Sequence, residues 1–389
     1  ISMSAKSDGG YSKLNAKDAL TARCITDVMA ESGLGNYDAT ELQKYLSGKN
    51  VSVSPYIGEI TEGFSGRCDV EGFETMLELV NAYFSKPRFN EDAFNSYIEK
   101  QKGTLENSML DPQSVWQDSV RWILSNYSEY RKPMTPAMLD EVNYKNMSKI
   151  YKQRFSDPCN FTFFFVGNID SKKAKPIIEK YLGSLETVER NESFVDLGIR
   201  PPKGGVEKDV KKGKDDKCVE MIVFHGEFKY NAENQNELDA ICKILTTKLL
   251  EQIREKESGV YSIGAYPAMS KDPYENYMVQ IFYSCDPARE PELKEKIFNI
   301  IKSIQSGDIS EEEIAKVIEK KRRERETEVK ENGYWRNLII ELVDGDITPE
   351  EVNNIDTYIN SINKDQMTKA AERYFKFDSY VKVRLIPEK

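Results

Sequence analysis

A chain of 389 residues with 39% hydrophobic and 31% charged residues can build two packed domains beneath a highly charged surface. Its net charge of −10 argues against a general nucleic-acid binder. No apolar run approaches the roughly 20 residues needed to span a bilayer.

The sequence opens on Ile1, and Ile1–Ala5 reads as a strand and not as a signal peptide, which predicts a chain cut or processed from a longer one. The next predicted elements are a helix over Ala16–Ser32, strands within Val51–Gly66, and a helix over Glu71–Phe84. A very long helix is expected from near Asn90, then a helix, a strand over Asn160–Val166 and a helix over Ser171–Leu182. The Arg200-Pro-Pro-Lys-Gly-Gly run within Glu186–Lys203 breaks helix and strand alike and marks a domain boundary, giving domains 1–196 and 197–389. Beyond it come strands near Val206–Val210 and over Cys218–Phe228. A helix over Asn234–Glu257 follows, with Leu238, Ile241, Ile244, Leu245 and Leu249 at helical spacing. In the strand-rich Tyr261–Cys285, Tyr277, Val279, Ile281 and Tyr283 share one face, and Met278 and Phe282 predict that the other is covered too. A helix over Glu290–Ile304 precedes a second very long one, opened near Ser310 by the capping-box pattern Ser310-Glu-Glu-Glu313. The chain closes with a helix and a strand over Ser379–Ile386. The charged runs Lys208–Lys217 and Lys320–Glu326 read as solvated surfaces, because acidic residues offset the second.

The two lists match. Ile98-Glu99-Lys100 recurs as Ile318-Glu319-Lys320, Met147-Ser148-Lys149 as Met367-Thr368-Lys369, and Phe155 as Phe375, each at a shift of 220. Cys68-Asp69 recurs as Cys285-Asp286 at a shift of 217. Matches in one order at one offset indicate an internal repeat. The expected fold class is therefore α+β, with two tandem homologous domains, each an antiparallel sheet packed with helices.

Candidate chemistry is sparse. The cysteines 24, 68, 159, 218, 242 and 285 are scattered and read as free thiols. The single histidine, His225, lies on an apolar strand and reads as a packed residue, since enzymatic zinc sites usually use two or three imidazoles. The segment Arg254-Glu-Lys-Glu-Ser-Gly-Val-Tyr261 could bring a guanidinium and a phenol to one sheet edge, where they could hold a carbonyl or carboxylate. Local chemistry equally accommodates an Arg at a helix C-terminus and a half-buried strand Tyr.

That segment, within tandem α+β domains, resembles the insulinase/pitrilysin family of zinc metallopeptidases. Asp38-Ala-Thr-Glu-Leu-Gln-Lys-Tyr-Leu46 and Val51-Ser-Val-Ser-Pro-Tyr-Ile-Gly58 look like its bacterial members built as one long polypeptide of two halves. The resemblance covers essentially the whole chain and implies an insulinase/mitochondrial-processing-peptidase-like fold. It implies an N-terminal half carrying the inverted zinc motif His-x-x-Glu-His. The C-terminal half, which this chain resembles, would close the peptide chamber. At the motif's positions stand Cys24, Asp27 and Val28, and Glu106 falls near the third ligand's place, with Glu99 seven residues earlier. Hence no zinc is expected on this chain, only on the absent half, and no peptidase activity in isolation. Arg254 would bind a substrate backbone carbonyl, and Tyr261 the scissile carbonyl and its developing oxyanion. The implied partners are the zinc-bearing half and peptide substrates, and the implied compartment is the periplasm or envelope. The rival reading is a non-catalytic binding or assembly subunit of the same family.

Overall fold

The computed structural model describes residues 1–188, 191–256, 260 and 262–388. These form two compact units. The first comprises 1–107, 134–198 and 329–340, and the second 108–133, 199–328 and 341–389.

The first unit holds a four-stranded sheet in the order β2-β3-β1-β4, from β1 (Ser2–Asp8), β2 (Val51–Ile57), β3 (Thr61–Cys68) and β4 (Thr162–Val166). All its pairings are antiparallel. Helices α1 (Ala16–Ser32), α2 (Ala39–Leu46), α3 (Phe73–Ser85) and α4 (Glu91–Leu110) surround it in sequence order. Their starts are set locally, since the side chains of Asn15 and Asp38 each accept a backbone N–H of the first turn. Asp111-Pro112 ends the expected very long helix and begins α5 (Pro112–Leu124), because proline cannot donate into the preceding turn and suits the start of a new helix. After α5 come the short α6 (Pro136–Leu139), then α7 (Tyr144–Phe155) and α8 (Ser171–Tyr181).

In the second unit the sheet order is β5-β9-β6-β8-β7. Its strands are β5 (Gly205–Lys211), β6 (Cys218–Glu227), β7 (Ile263–Ser270), β8 (Asn276–Cys285) and β9 (Tyr380–Ile386). β5 runs parallel to β9, and the other pairings are antiparallel. Its helices are α9 (Ala232–Leu249), α10 (Glu290–Gln305), α11 (Glu311–Glu328), α12 (Asn332–Val343), α13 (Pro349–Asn353), α14 (Ile355–Asn360) and α15 (Lys364–Tyr374), residues 332–340 of α12 being counted with the first unit. The second long helix is thus also broken, between α11 and α12. The capping box forms as read, with Ser310 and Glu313 exchanging side-chain and backbone bonds at 2.7 and 3.2 Å.

Leaving β5 aside, the order β7-β8-β6-β9 is that of β2-β3-β1-β4, so the repeat is topological as well as sequential. Its signature residues occupy equivalent places. Met147 and Met367 are buried on α7 and α15, Phe155 and Phe375 lie in the two cores, and Cys68 and Cys285 end β3 and β8.

The cover on the far side of the second sheet comes from the first repeat. Trp116, Val120 and Ile123 of α5 pack on Val219, Val381, Val383 and Leu385, with Phe282 beside them. The Trp116 Nε1–H donates to the Val383 carbonyl at 3.2 Å. This contact partly covers Phe282 on the second face of β8.

The Lys320–Glu326 run is a largely exposed face, as read, whose cations also reach neighbouring helices. Lys321 is nearly buried and bonded to Asp239, Arg322 donates to Asn360 at 2.6 and 2.9 Å, and Arg325 to Asp356 at 2.9 Å. Helical spacing sets Lys321 beside α9 and Arg322 and Arg325 beside α14, while Arg323 pairs with Glu319 along its own helix.

Candidate functional site

Helix α9 does not run on regularly to Glu257. At Leu250–Glu255 it widens into a π-helix, with the Lys256 N–H bonded to the Glu251 carbonyl at 3.3 Å. Such turns are rare and are enriched at functional sites. Leu249 and Ile253 point into the core, one turn apart, and fix the segment against β7 and α10. Arg254, next in line, is thereby turned to solvent. It has no hydrogen-bond or ion-pair partner among the described residues. Its chain neighbours Gln252, Ile253 and Lys256 line a cavity of about 360 Å³ with Lys296, Asn299 and Ser303 of α10. Tyr261 lies outside the described residues. Val260 is buried, and β7 begins at Ile263.

β7 is an edge of its sheet, and such an edge normally offers free backbone groups to any extended peptide. Here the Thr246 hydroxyl of α9 accepts from the Ala265 N–H at 2.9 Å and donates to its carbonyl at 3.3 Å. Two residues on, Pro267 has no N–H to give. The edge beside Arg254 is therefore blunted.

On α1, Cys24 and Val28 are buried core residues and Asp27 is exposed. The Tyr97 hydroxyl of α4 donates to Asp27 at 3.2 Å and also meets the Cys24 thiol. Burial raises the thiol above its usual range. Tyr97 and Ile98 are the residues α4 turns inward, whereas Glu99 and Glu106 face solvent, and Glu99 pairs with Lys102 at 3.3 Å. The helical period thus separates the carboxylates from Cys24. Among the described residues, no group of three or more His, Cys, Asp or Glu side chains could hold a metal ion. His225 is buried on β6, its Nε2 has no partner among the described residues, and burial lowers its pKa, so it is neutral at pH 7.

Buried polar clusters escaped the sequence reading. In the first unit, Arg154 lies fully buried between Glu192 at 2.8 Å and Glu62 at 4.0 Å. Glu62 also accepts the Gly10 N–H at 2.5 Å, where a φ of 57° suits glycine, and burial pushes its carboxyl up to about 7. In the second unit, Glu220 and Glu290 share one buried site. Glu290 opens α10 and is held by Lys382 at 3.0 Å and by Arg384. Glu220 accepts from the Tyr283 hydroxyl at 2.7 Å, while its Oε2 meets no donor among the described residues and faces Glu290. Burial first, and then Glu290, pushes Glu220 up to about 9, so the pair holds one proton at pH 7. A carboxyl raised on folding stabilises below its ordinary value near 4.5, and that contribution is lost as pH rises through about 9. Glu220→Gln should keep the neutral shape and remove this loss. Urea midpoints at pH 6 and pH 9 test it, since an equal fall in wild type and variant would sink the assignment.

Residues 141–321 match the family model described as "Peptidase M16 inactive domain". The chain is 22% identical over 347 residues to "Probable zinc protease PqqL" of Haemophilus influenzae, covering 85% of this chain and 36% of that protein. It therefore spans about a third of the length of the curated relatives it matches. Among solved structures, the periplasmic protease PqqL from Escherichia coli superposes with a TM-score of 0.85 at 17% identity, over 100% of this chain and 43% of that one. A protease from Helicobacter pylori gives a TM-score of 0.82 at 14% identity, over 99% and 93%. The fold is that of the M16 peptidases, with two repeated sheet-and-helix halves.

Proposed function

We propose a division of labour, from the premise that this chain is a homologue of bacterial zinc proteases of the insulinase family and carries that family's inactive domain. It acts as the C-terminal half of a zinc-dependent endopeptidase. A separate zinc-bearing N-terminal half activates the water and supplies the general base. This half closes over the peptide, excludes bulk water and positions the scissile bond.

The observation that carries the reading is Arg254. A guanidinium free of partners among the described residues, exposed on a π-turn pinned by a buried Ile253, is available to bind a peptide carbonyl. Tyr261 adds a hydrogen bond to the scissile oxygen as charge develops on it. The blunted β7 edge fits a site that grips through side chains. The described residues offer no metal cluster, which is consistent with zinc on the other half.

An internally quenched peptide, offered to this chain alone and mixed with its zinc-bearing half, tests the reading. The chain alone should hold no stoichiometric zinc and cleave nothing, and the mixture should be active. Metal-dependent cleavage by the chain alone would overturn the division of labour. An inactive mixture, proven to associate and to contain zinc, would leave a scaffold subunit instead.

A further inference from the structure

Cys218 and Cys285 are direct cross-strand partners, the first residue of β6 opposite the last of β8. Partners in an antiparallel pair have Cα atoms about 4.5 or 5.5 Å apart, and either spacing lies within the range that disulfides span. Both side chains are buried and both thiols are free. The first repeat supplies an internal comparison. Cys68 ends β3 as Cys285 ends β8, but the residue whose carbonyl accepts the Cys68 N–H, at 3.0 Å, is Ile1. Only the second repeat places two sulfurs across the strands at this position.

We propose that Cys218 and Cys285 form a disulfide when the chain folds under oxidising conditions. The oxidant is a disulfide of the glutathione or dithiol-catalyst class. One thiolate attacks it to give a mixed disulfide, and the second displaces the remaining thiol. Two S–H bonds and one S–S bond of the oxidant are lost. One protein S–S bond and two thiols of the spent oxidant are formed. In the folded chain the neighbouring Cys285 thiol, and then burial, hold Cys218 well above the usual thiol range, so little thiolate exists to react. The crosslink therefore closes while β6 and β8 are pairing. Once made, it ties the sheet directly before α10 and the Glu290 cluster. This inference does not depend on the peptidase reading.

The test is refolding of the full chain in a buffer of reduced and oxidised glutathione, followed by denaturation, alkylation and peptide mapping. The expected product is one disulfide joining the peptides of Cys218 and Cys285, with Cys24, Cys68 and Cys242 fully alkylated. Its denaturation midpoint should exceed that of the reduced protein, because the link restricts the unfolded chain. In Cys285→Ala the two redox conditions should give one midpoint. Full alkylation of Cys218 and Cys285, a glutathione adduct on either, or a link from either to another cysteine would overturn the proposal, and these readings need only the wild-type chain.

Discussion

If this chain completes a two-half peptidase as proposed, Arg254→Ala should lower its kcat/KM by roughly 100-fold, the usual cost of deleting one preorganised donor from a transition-state site. The expectation follows from position. Arg254 is exposed and has no hydrogen-bond or ion-pair partner among the described residues, so its removal should leave the melting behaviour of the chain unchanged. The anchoring function falls to Ile253, which is 1% exposed. Arg254→Lys keeps the charge but loses the planar fork, and should recover only part of the rate. Under the same proposal Tyr261→Phe should act mainly on kcat, because the hydrogen bond proposed for it would strengthen as the oxyanion forms. Unchanged kcat/KM in Arg254→Ala, with zinc content and association intact, would demote the residue to surface.

Trp116→Ala should destabilise the second unit by about 3–5 kcal/mol, the range for deleting a large aromatic from a packed core. Trp116 is 1% exposed, and its indole N–H is spent on the Val383 carbonyl 267 residues along the chain. Truncation loses the packing and leaves that carbonyl without its partner. The substitution lies in the first repeat by sequence, but the loss should appear in β9 and β6. Hydrogen exchange of the variant should speed up in Val219–Ile222 and Val381–Leu385. Faster exchange confined to the first unit would contradict the packing of α5 described above. The same reasoning predicts that a fragment beginning at residue 199 exposes this apolar face and aggregates.

Much of the fold was legible because it is written locally. Element order, the Ser310 cap and the strand character of β8 each follow from residues within one or two turns of each other, and the repeat from matching such local signals along the chain. The matched Met147 and Met367, or Phe155 and Phe375, are visible as letters because each repeat must fill the same place in its own core. The proposed site was named from one short segment, Arg254 to Tyr261, of which the structure describes Arg254 and not Tyr261.

What remained hidden needs contacts between distant residues. Helical period alone states that α4 has an inner face, but only the packed α1 selects Tyr97 and Ile98 for it and leaves Glu99 and Glu106 in water. The charges of Arg154 and Glu290 look like surface in one dimension, and are buried because partners from other elements neutralise them there. The pairing of Cys218 with Cys285 depends on strand register, which sequence spacing does not encode. The sequence by itself determined the elements and their duplication, since propensity, periodicity and caps are short-range. The tertiary structure decided which helix covers which sheet and which polar groups are buried together, because burial is a property of the assembled chain.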